Sequence, residues 1–330
     1  MTLRKSDVDA FLIDWEEGEY RAEVKTLALR SRSLSFAEVG PVAVSVSKKA
    51  QIIRDRLSRT VKRVPEVVVK ISNNPCHGMR QIRQYVGYIS RRGLLEIEDQ
   101  NGDPIQGKRE QGDLLEEWRH NGLDVLPESH ARRETLNLIL SMPALTDEVA
   151  LKRAVRTFAA TEFSEHSYVF AYHTPSTDPD PEPPAHPHVH LVVKMEDFKG
   201  RRLNPRKADL RRWRETFAEA LRANGIEANA TSRLARIQHQ RPERRAWPSF
   251  ASSDRTTGSE YTEPTARARV LEEKRLSYYY ALGRALGESE LKSDRDLAGQ
   301  VVQFIQESLS RQGRPRRSDP SPESGVNMDR

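Results

Sequence analysis

A chain of 330 residues, 36% hydrophobic and 31% charged, is long enough for one large domain or two smaller ones and too apolar to be wholly disordered. No apolar run approaches the roughly 20 residues a bilayer helix needs, and MTLRKSDVDAFLIDWEEGEY has no hydrophobic stretch of the secretory kind. A membrane-spanning or secreted product is therefore not expected, and the expected location is cytoplasmic. The lone Cys76 excludes an intrachain disulfide framework and a thiolate-rich zinc site, which leaves histidines and carboxylates to hold any metal.

In chain order, residues 1–63 mix short helical patterns with the alternating stretch PVAVSVSKK and read as a variable leading segment. VPEVVVKIS, residues 64–72, is a β-branched run closed by Asn73-Asn74-Pro75 and predicts a strand. GMRQIRQYVGYIS, residues 78–90, puts Ile82, Tyr85, Val86 and Ile89 at helical spacing, and Arg91-Arg92-Gly93 stops that helix. LEIEDQNGDPI reads as a short exposed strand or loop turning at Asn101-Gly102. Helical patterns follow in GDLLEEWRHNG and again from Ser129, the second ending before Ser141-Met142-Pro143. ALTDEVALKRAVRTFAATEF predicts a long helix capped by Thr146.

HSYVFAYHT and VHLVVKM, residues 189–195, are further strands, and six of the fourteen residues between them, 174–187, are proline. Proline at that density predicts a protruding extended connection that lets the two strands lie side by side. ADLRRWRETFAEALRAN, residues 208–224, is an amphipathic helix ended by Gly225. A polar, turn-rich linker over 241–260, two more helical patterns and a disordered tail over 311–330 complete the chain. The division is thus 1–63, a central domain over 64–240, a linker and helical region over 241–310, and the tail over 311–330. No Gly-rich phosphate loop follows any candidate strand, so an α+β fold is favoured, with a central, largely antiparallel sheet and helices packed on one face of it.

The excess of 54 basic over 48 acidic residues is too small to identify a nucleic-acid binder, but from Arg201 to Arg245 there are thirteen lysines and arginines against five acidic residues. This is consistent with a phosphate-facing surface or with a solvated helix face.

Four of the nine histidines lie between residues 173 and 190. His188 and His190, two positions apart on one strand, point to the same face, and His173 closes the neighbouring strand and can reach that face. Three imidazoles with open coordination positions make a candidate divalent-metal site. His186 is a fourth ligand, an outer support or a phosphate contact. The competing reading is a solvent-exposed Pro/His loop, or histidines satisfied within the core. Tyr88 stands near Arg83, Arg91 and Arg92 at a helix end, a setting suited to a phosphate, with Tyr85 one turn earlier as the alternative and simple core packing as a third reading.

Together these motifs resemble the relaxase, or mobilisation nuclease, family, the DNA-nicking proteins of conjugation that include the T-DNA border endonuclease type. QYVGYISRRG, residues 84–93, is similar to the family's nucleophile segment, and YHT followed by HPHVHLVV to its histidine motif. LRRWRETFAEALRANGIEANATSRLARI is a third family-like stretch, and the resemblance covers about residues 64–240. It implies a relaxase-like, histidine-metal nuclease architecture, Tyr88 as nucleophile, and His173, His188 and His190 as metal ligands with His186 an additional histidine. Glu162 is the match for the acidic residue that orients a ligand or takes the tyrosine proton, a surface carboxylate being its other reading. Two departures stand out: many relatives have an aspartate where this chain has Pro175, and about 60 residues precede the first strand.

The implied activity is site- and strand-specific nicking of single-stranded DNA at a transfer origin, with Mg²⁺ or Mn²⁺ as cofactor, a 5′-phosphotyrosine link and rejoining by the reverse step. Arg83, Arg91, Arg92, Arg211, Arg212 and Arg214 are the candidate phosphate contacts, and accessory DNA-binding proteins and coupling proteins of a type IV secretion system are the implied partners. A hydrolytic metallonuclease or phosphodiesterase, and a non-catalytic DNA-binding accessory protein, are the alternative functions.

Overall fold

The segment HVHLVVK, His188–Lys194, is buried along its whole length, which requires neighbours on both sides and cover on both faces. The computed structural model describes residues 2–28, 45–72, 74–121, 124–129, 131–143, 146–180, 186–231 and 266–312. Two helices, α1 (Lys5–Ala28) and α2 (Val46–Val61), precede β1 (Val68–Ile71), α3 (Met79–Ile89), β2 (Ile97–Asp99), β3 (Pro104–Ile105) and α4 (Gly107–Arg119). There follow a short hairpin of β4 (His120–Asn121) and β5 (Asp124–Val125), then β6 (Thr135–Ser141), α5 (Glu148–Glu162), β7 (Tyr168–His173) and β8 (His188–Lys194). The helices α6 (Lys207–Ala223), α7 (Ala266–Gly287) and α8 (Lys292–Gln312) come last. They form two compact units, Arg63–Ala230 and, together, Met1–Lys62 with Thr231–Arg330.

The first unit is an α+β layer structure. Its six-stranded sheet has the order β1-β6-β8-β7-β2-β3, with every neighbouring pair antiparallel. On one face Leu136, Leu138, Leu140, Val189, Leu191 and Val193 pack against Leu151, Val155 and Phe158 of α5 and Trp213, Phe217 and Leu221 of α6. On the other, Ile97, Val169, Ala171 and Val192 meet Ile82, Tyr85, Val86 and Ile89 of α3 and Leu114, Leu115 and Trp118 of α4. Helices therefore cover both faces rather than the one expected, because the central strands are apolar on both sides and neither face can be left to water.

Two local expectations are corrected. The helix expected from Ser129 is absent, and TLNLILS is β6, paired along its length with β8. Its leucines at 136, 138 and 140 follow the two-residue period of a strand and all enter one core. The cap of α5 is Asp147 rather than Thr146, its side chain accepting from the Ala150 amide at 2.6 Å.

The second unit is helical. Val8 and Leu12 of α1, Ile53 and Leu57 of α2, Tyr279, Leu282 and Leu286 of α7, and Val301, Phe304 and Ile305 of α8 share one core. Inside it Arg54 is held by Asp9 at 2.6 Å and by both oxygens of Asp294 at 2.8 and 3.0 Å. The proposed linker over 241–260, and the tail beyond Gln312, lie outside the described residues. Among the described residues no helix is long and apolar enough to cross a membrane.

Candidate metal and nucleophile site

The antiparallel register of β7 and β8 sets His173 directly opposite His188, and His190 opposite Ala171. Strand parity turns all three imidazoles toward the α3 face, away from the leucine-rich core under α5 and α6. Their ring centroids are 5.0 Å apart for His173–His188 and His173–His190, and 5.1 Å for His188–His190. One nitrogen from each lies within 4.8 Å of the others, a set able to hold a metal ion.

Burial and mutual proximity favour the neutral rings. Burial first, then the neighbouring His173, pushes His188 down to about 4. Burial, followed by His173 and His188, holds His190 well below the ordinary range, and burial also lowers His173 although Asp178 opposes it. A neutral imidazole keeps the lone pair a cation needs, so this donor set fits a divalent ion, with His173 offering Nε2 in place of its contact with the Ile89 carbonyl.

Asp178 is a residue that sequence reasoning missed. Its Oδ2 lies 2.7 Å from His173 Nδ1, while His173 Nε2 faces the Ile89 carbonyl at 2.7 Å. The turn Thr174-Pro175-Ser176-Thr177 brings it back. The Thr174 hydroxyl accepts from the Ser176 and Thr177 amides at 3.2 and 3.1 Å, and the Asp178 amide donates to the Thr174 carbonyl at 3.0 Å. Thus a carboxylate five positions after His173 is folded back onto its ring. The turn chemistry of TPSTD was the available signal. Burial disfavours ionisation of Asp178, but hydrogen bonds from Arg91 and His173 outweigh it and hold its carboxyl far below the usual range.

The helix α3 lies over this face because its start is seated on backbone. The amides of Met79 and Arg80 donate to the carbonyls of Pro127 and Glu128, at 3.0 and 3.2 Å, in place of a side-chain cap. Gly78, at φ +102°, passes so close that a Cβ there would sit 2.7 Å from the Glu128 carbonyl oxygen. At the other end Arg91, Arg92 and Gly93 are three consecutive left-handed residues, with φ +51°, +60° and +90°.

Both tyrosines of α3 reach the triad. The Tyr88 ring is edge-on to His190, with centroids 6.0 Å apart, and lies under the Arg91 guanidinium, whose Cζ is 5.2 Å from the ring centre. Tyr85 is more deeply buried, its hydroxyl 3.5 Å from His190 Nδ1. Burial raises the pKa of both phenols, and for Tyr88 hydrogen bonding and charge from Arg91 act in the opposite direction.

Other candidates are scattered. His186 is exposed, its ring 6.1 Å from that of His188, and stands outside the set of three. Arg83 is on α3 but pairs with Glu128. Arg91 is engaged by Asp178, and Arg92 is exposed beside it. Glu162 sits at the end of α5, accepting from Arg212 at 3.0 Å and from the Thr216 hydroxyl at 2.5 Å on α6. Helices α5 and α6 cover the face opposite the histidines, so the structure does not bring Glu162, Arg211, Arg212 or Arg214 to the triad. Arg211 pairs with Glu215 on its own helix at 3.0 Å.

Residues 110–226 match the family model described as "Relaxase: MobA/VirD2-like, nuclease domain". That match takes in the triad and Asp178 and begins after α3. The chain is also similar to the T-DNA border endonuclease VirD2 of Rhizobium radiobacter, 29% identical over 201 residues covering 54% of this chain and 44% of that protein. With the protein of the same name from Rhizobium rhizogenes it is 27% identical over 197 residues, covering 54% and 43%. Over part of its length, then, the chain carries a MobA/VirD2-like relaxase nuclease domain homologous to VirD2 endonucleases. The matched stretch spans less than half the length of those relatives.

Proposed function

We propose that this chain nicks one strand of DNA at a transfer origin through Tyr88, remaining joined to the 5′ phosphate, and reseals the strand by the reverse reaction. The observation that carries this reading is the placement of a partly exposed phenol, Tyr88, on the same sheet face as three neutral imidazoles and edge-on to one of them. Tyr85 shares the face, but its burial removes it from an extended strand of DNA.

His173, His188 and His190 would hold a divalent ion, Mg²⁺ or Mn²⁺. When bound, that ion supplies charge stabilisation to a phosphate in the transition state. The chain supplies the rest. Tyr88 Oη forms a bond to phosphorus, the bond from phosphorus to O3′ breaks, and O3′ keeps the electron pair and takes a proton to become a hydroxyl. The phenolic proton leaves to solvent, to which Tyr88 is partly open. Rejoining reverses both bonds, so the phosphodiester energy is retained and no nucleotide cofactor is needed.

The test is incubation with single-stranded DNA covering a candidate transfer origin and either ion, followed by denaturing electrophoresis and mapping of the attached residue. Tyr88→Phe is expected to abolish the adduct and retain oligonucleotide binding, whereas Tyr85→Phe keeps the adduct. Cleavage with no protein-linked product would make water the nucleophile and overturn the proposal.

A further inference from the structure

The Arg91 guanidinium lies between the two halves of the site. Its Nε and one terminal nitrogen each reach an oxygen of Asp178 at 2.8 Å, and the terminal nitrogen is also 3.3 Å from Asp180. Asp178 in turn meets His173 Nδ1 at 2.7 Å. The same guanidinium lies over the Tyr88 ring, with Cζ 5.2 Å from its centre.

We propose that Arg91 is a positioning residue that ties the tyrosine-bearing helix to the histidine triad through Asp178, and is not a phosphate-binding group. This rests on the function proposed above. The geometry argues for it in three ways. A bidentate fork fixes the plane of a carboxylate as well as its charge, so the Asp178 rotamer, and with it the His173 ring, is set by Arg91. Nε and one terminal nitrogen are already spent on two carboxylates, and the Arg91 side chain is only 15% exposed. Finally, the left-handed backbone at Arg91 is strained for a residue with a Cβ, and such strain persists where the surroundings over-determine it.

If Arg91 only bound phosphate, its loss would weaken oligonucleotide binding and leave the metal site alone. If it positions, its loss should reach the metal site through His173 and slow chemistry at saturating DNA. The experiment uses the full chain as wild type, Arg91→Gln, Arg91→Lys, Asp178→Asn and the Arg91→Gln/Asp178→Asn double variant. Mn²⁺ affinity is measured by calorimetry without DNA, oligonucleotide Kd in EDTA, and adduct formation under single turnover at saturating oligonucleotide. Arg91→Gln is expected to lose about tenfold or more in Mn²⁺ affinity, the scale seen when a supporting partner of a metal-binding histidine is removed. Oligonucleotide Kd should change less than about twofold while the saturated rate falls. Lysine should restore little, having no fork. The double variant should bind Mn²⁺ no worse than Asp178→Asn alone, as expected of two residues on one path.

Wild-type Mn²⁺ affinity in Arg91→Gln, or weakened oligonucleotide binding at an unchanged saturated rate, overturns the inference and leaves the proposed function standing. Should Arg91→Gln fail to fold, Arg91→Lys decides by the same criteria, since it keeps the charge and removes only the fork. A wild-type chain that binds no Mn²⁺ would overturn the proposed function and this inference together.

Discussion

Both compact units bury an arginine against two aspartates, Arg54 with Asp9 and Asp294 in the helical unit, and Arg91 with Asp178 and Asp180 in the sheet unit. In the helical unit all three side chains are at most 7% exposed, and the Ser289 hydroxyl donates to Asp294 at 2.8 Å. That cluster is closed, and every contact in it is internal to the bundle. In the sheet unit Asp178 is fully enclosed, Asp180 is 38% exposed, and the guanidinium borders a phenol and a histidine triad. Similar chemistry thus serves the bundle in one place and, in our reading, the geometry of a reaction in the other. Closed ion clusters can be replaced by apolar groups of like volume, whereas an open one that supports a metal-binding ring cannot.

The largest effect expected of any substitution in the sheet unit is at His190. Alanine there removes one of the three donors outright, so Mn²⁺ affinity should fall by more than the roughly 10- to 100-fold that loss of a supporting partner costs. Adduct formation should fall with it. Calorimetry and the adduct assay read both, and a His190→Ala chain that binds Mn²⁺ like wild type would remove the triad from the comparison.

Arg54→Ala provides the opposite signature. It leaves Asp9 and Asp294 buried without their counter-charge, which should cost about 3–5 kcal/mol in urea denaturation followed by circular dichroism. Asp9→Leu/Arg54→Met/Asp294→Leu should recover most of that loss. No equivalent rescue is expected at Arg91 and Asp178, where an apolar pair would restore stability without restoring Mn²⁺ affinity. If the helical triple variant is as unstable as Arg54→Ala, the closed cluster is not interchangeable with packing and the contrast fails.

How much of this was legible follows from the range over which each feature is determined. The convergence of His173, His188 and His190 follows from strand parity, which HPHVHLVV and YVFAYH display locally. The helix α3 follows from an apolar pattern whose stop, Arg91-Arg92-Gly93, is written in the same ten residues, whereas the choice of Tyr88 over Tyr85 comes from the family resemblance and not from the pattern. The sequence over β6 is ambiguous because Leu136, Leu138, Ile139 and Leu140 are compatible with either period over so short a run, and only pairing with β8 decides for a strand. Asp178 depends on a hydroxyl-centred turn that parity arguments do not see. The partners of Arg54 lie 45 and 240 residues away in sequence, beyond any local pattern. Glu162 matches the family's acidic residue only by its place at the end of the helix before β7, and α5 packs on the other face of the sheet. Glu162→Gln should therefore change adduct formation by less than about twofold and stability by about 1 kcal/mol, the value of its contacts with Thr216 and Arg212. A tenfold loss of adduct would return it to the site.

The smallest expected effect separates Arg92 from its neighbour. Both arginines are left-handed, but Arg92 is exposed and makes no ion pair among the described residues, and the bond from its amide to the Gly87 carbonyl at 2.6 Å is one that glycine would keep. Arg92→Gly should raise stability by up to about 1 kcal/mol, the relief of the Cβ clash less the added freedom of the unfolded chain. If the arginine is kept for a phosphate, the same substitution should weaken binding of all oligonucleotides alike and reduce the slope of log K against log salt by about 1. Gain of stability with loss of salt slope would assign Arg92 to DNA and leave Arg91 to the fold of the site. Gain of stability with an unchanged slope would leave the left-handed arginine without a nucleic-acid role, and would make the turn itself, which delivers Arg91 to Asp178, the reason for its conformation.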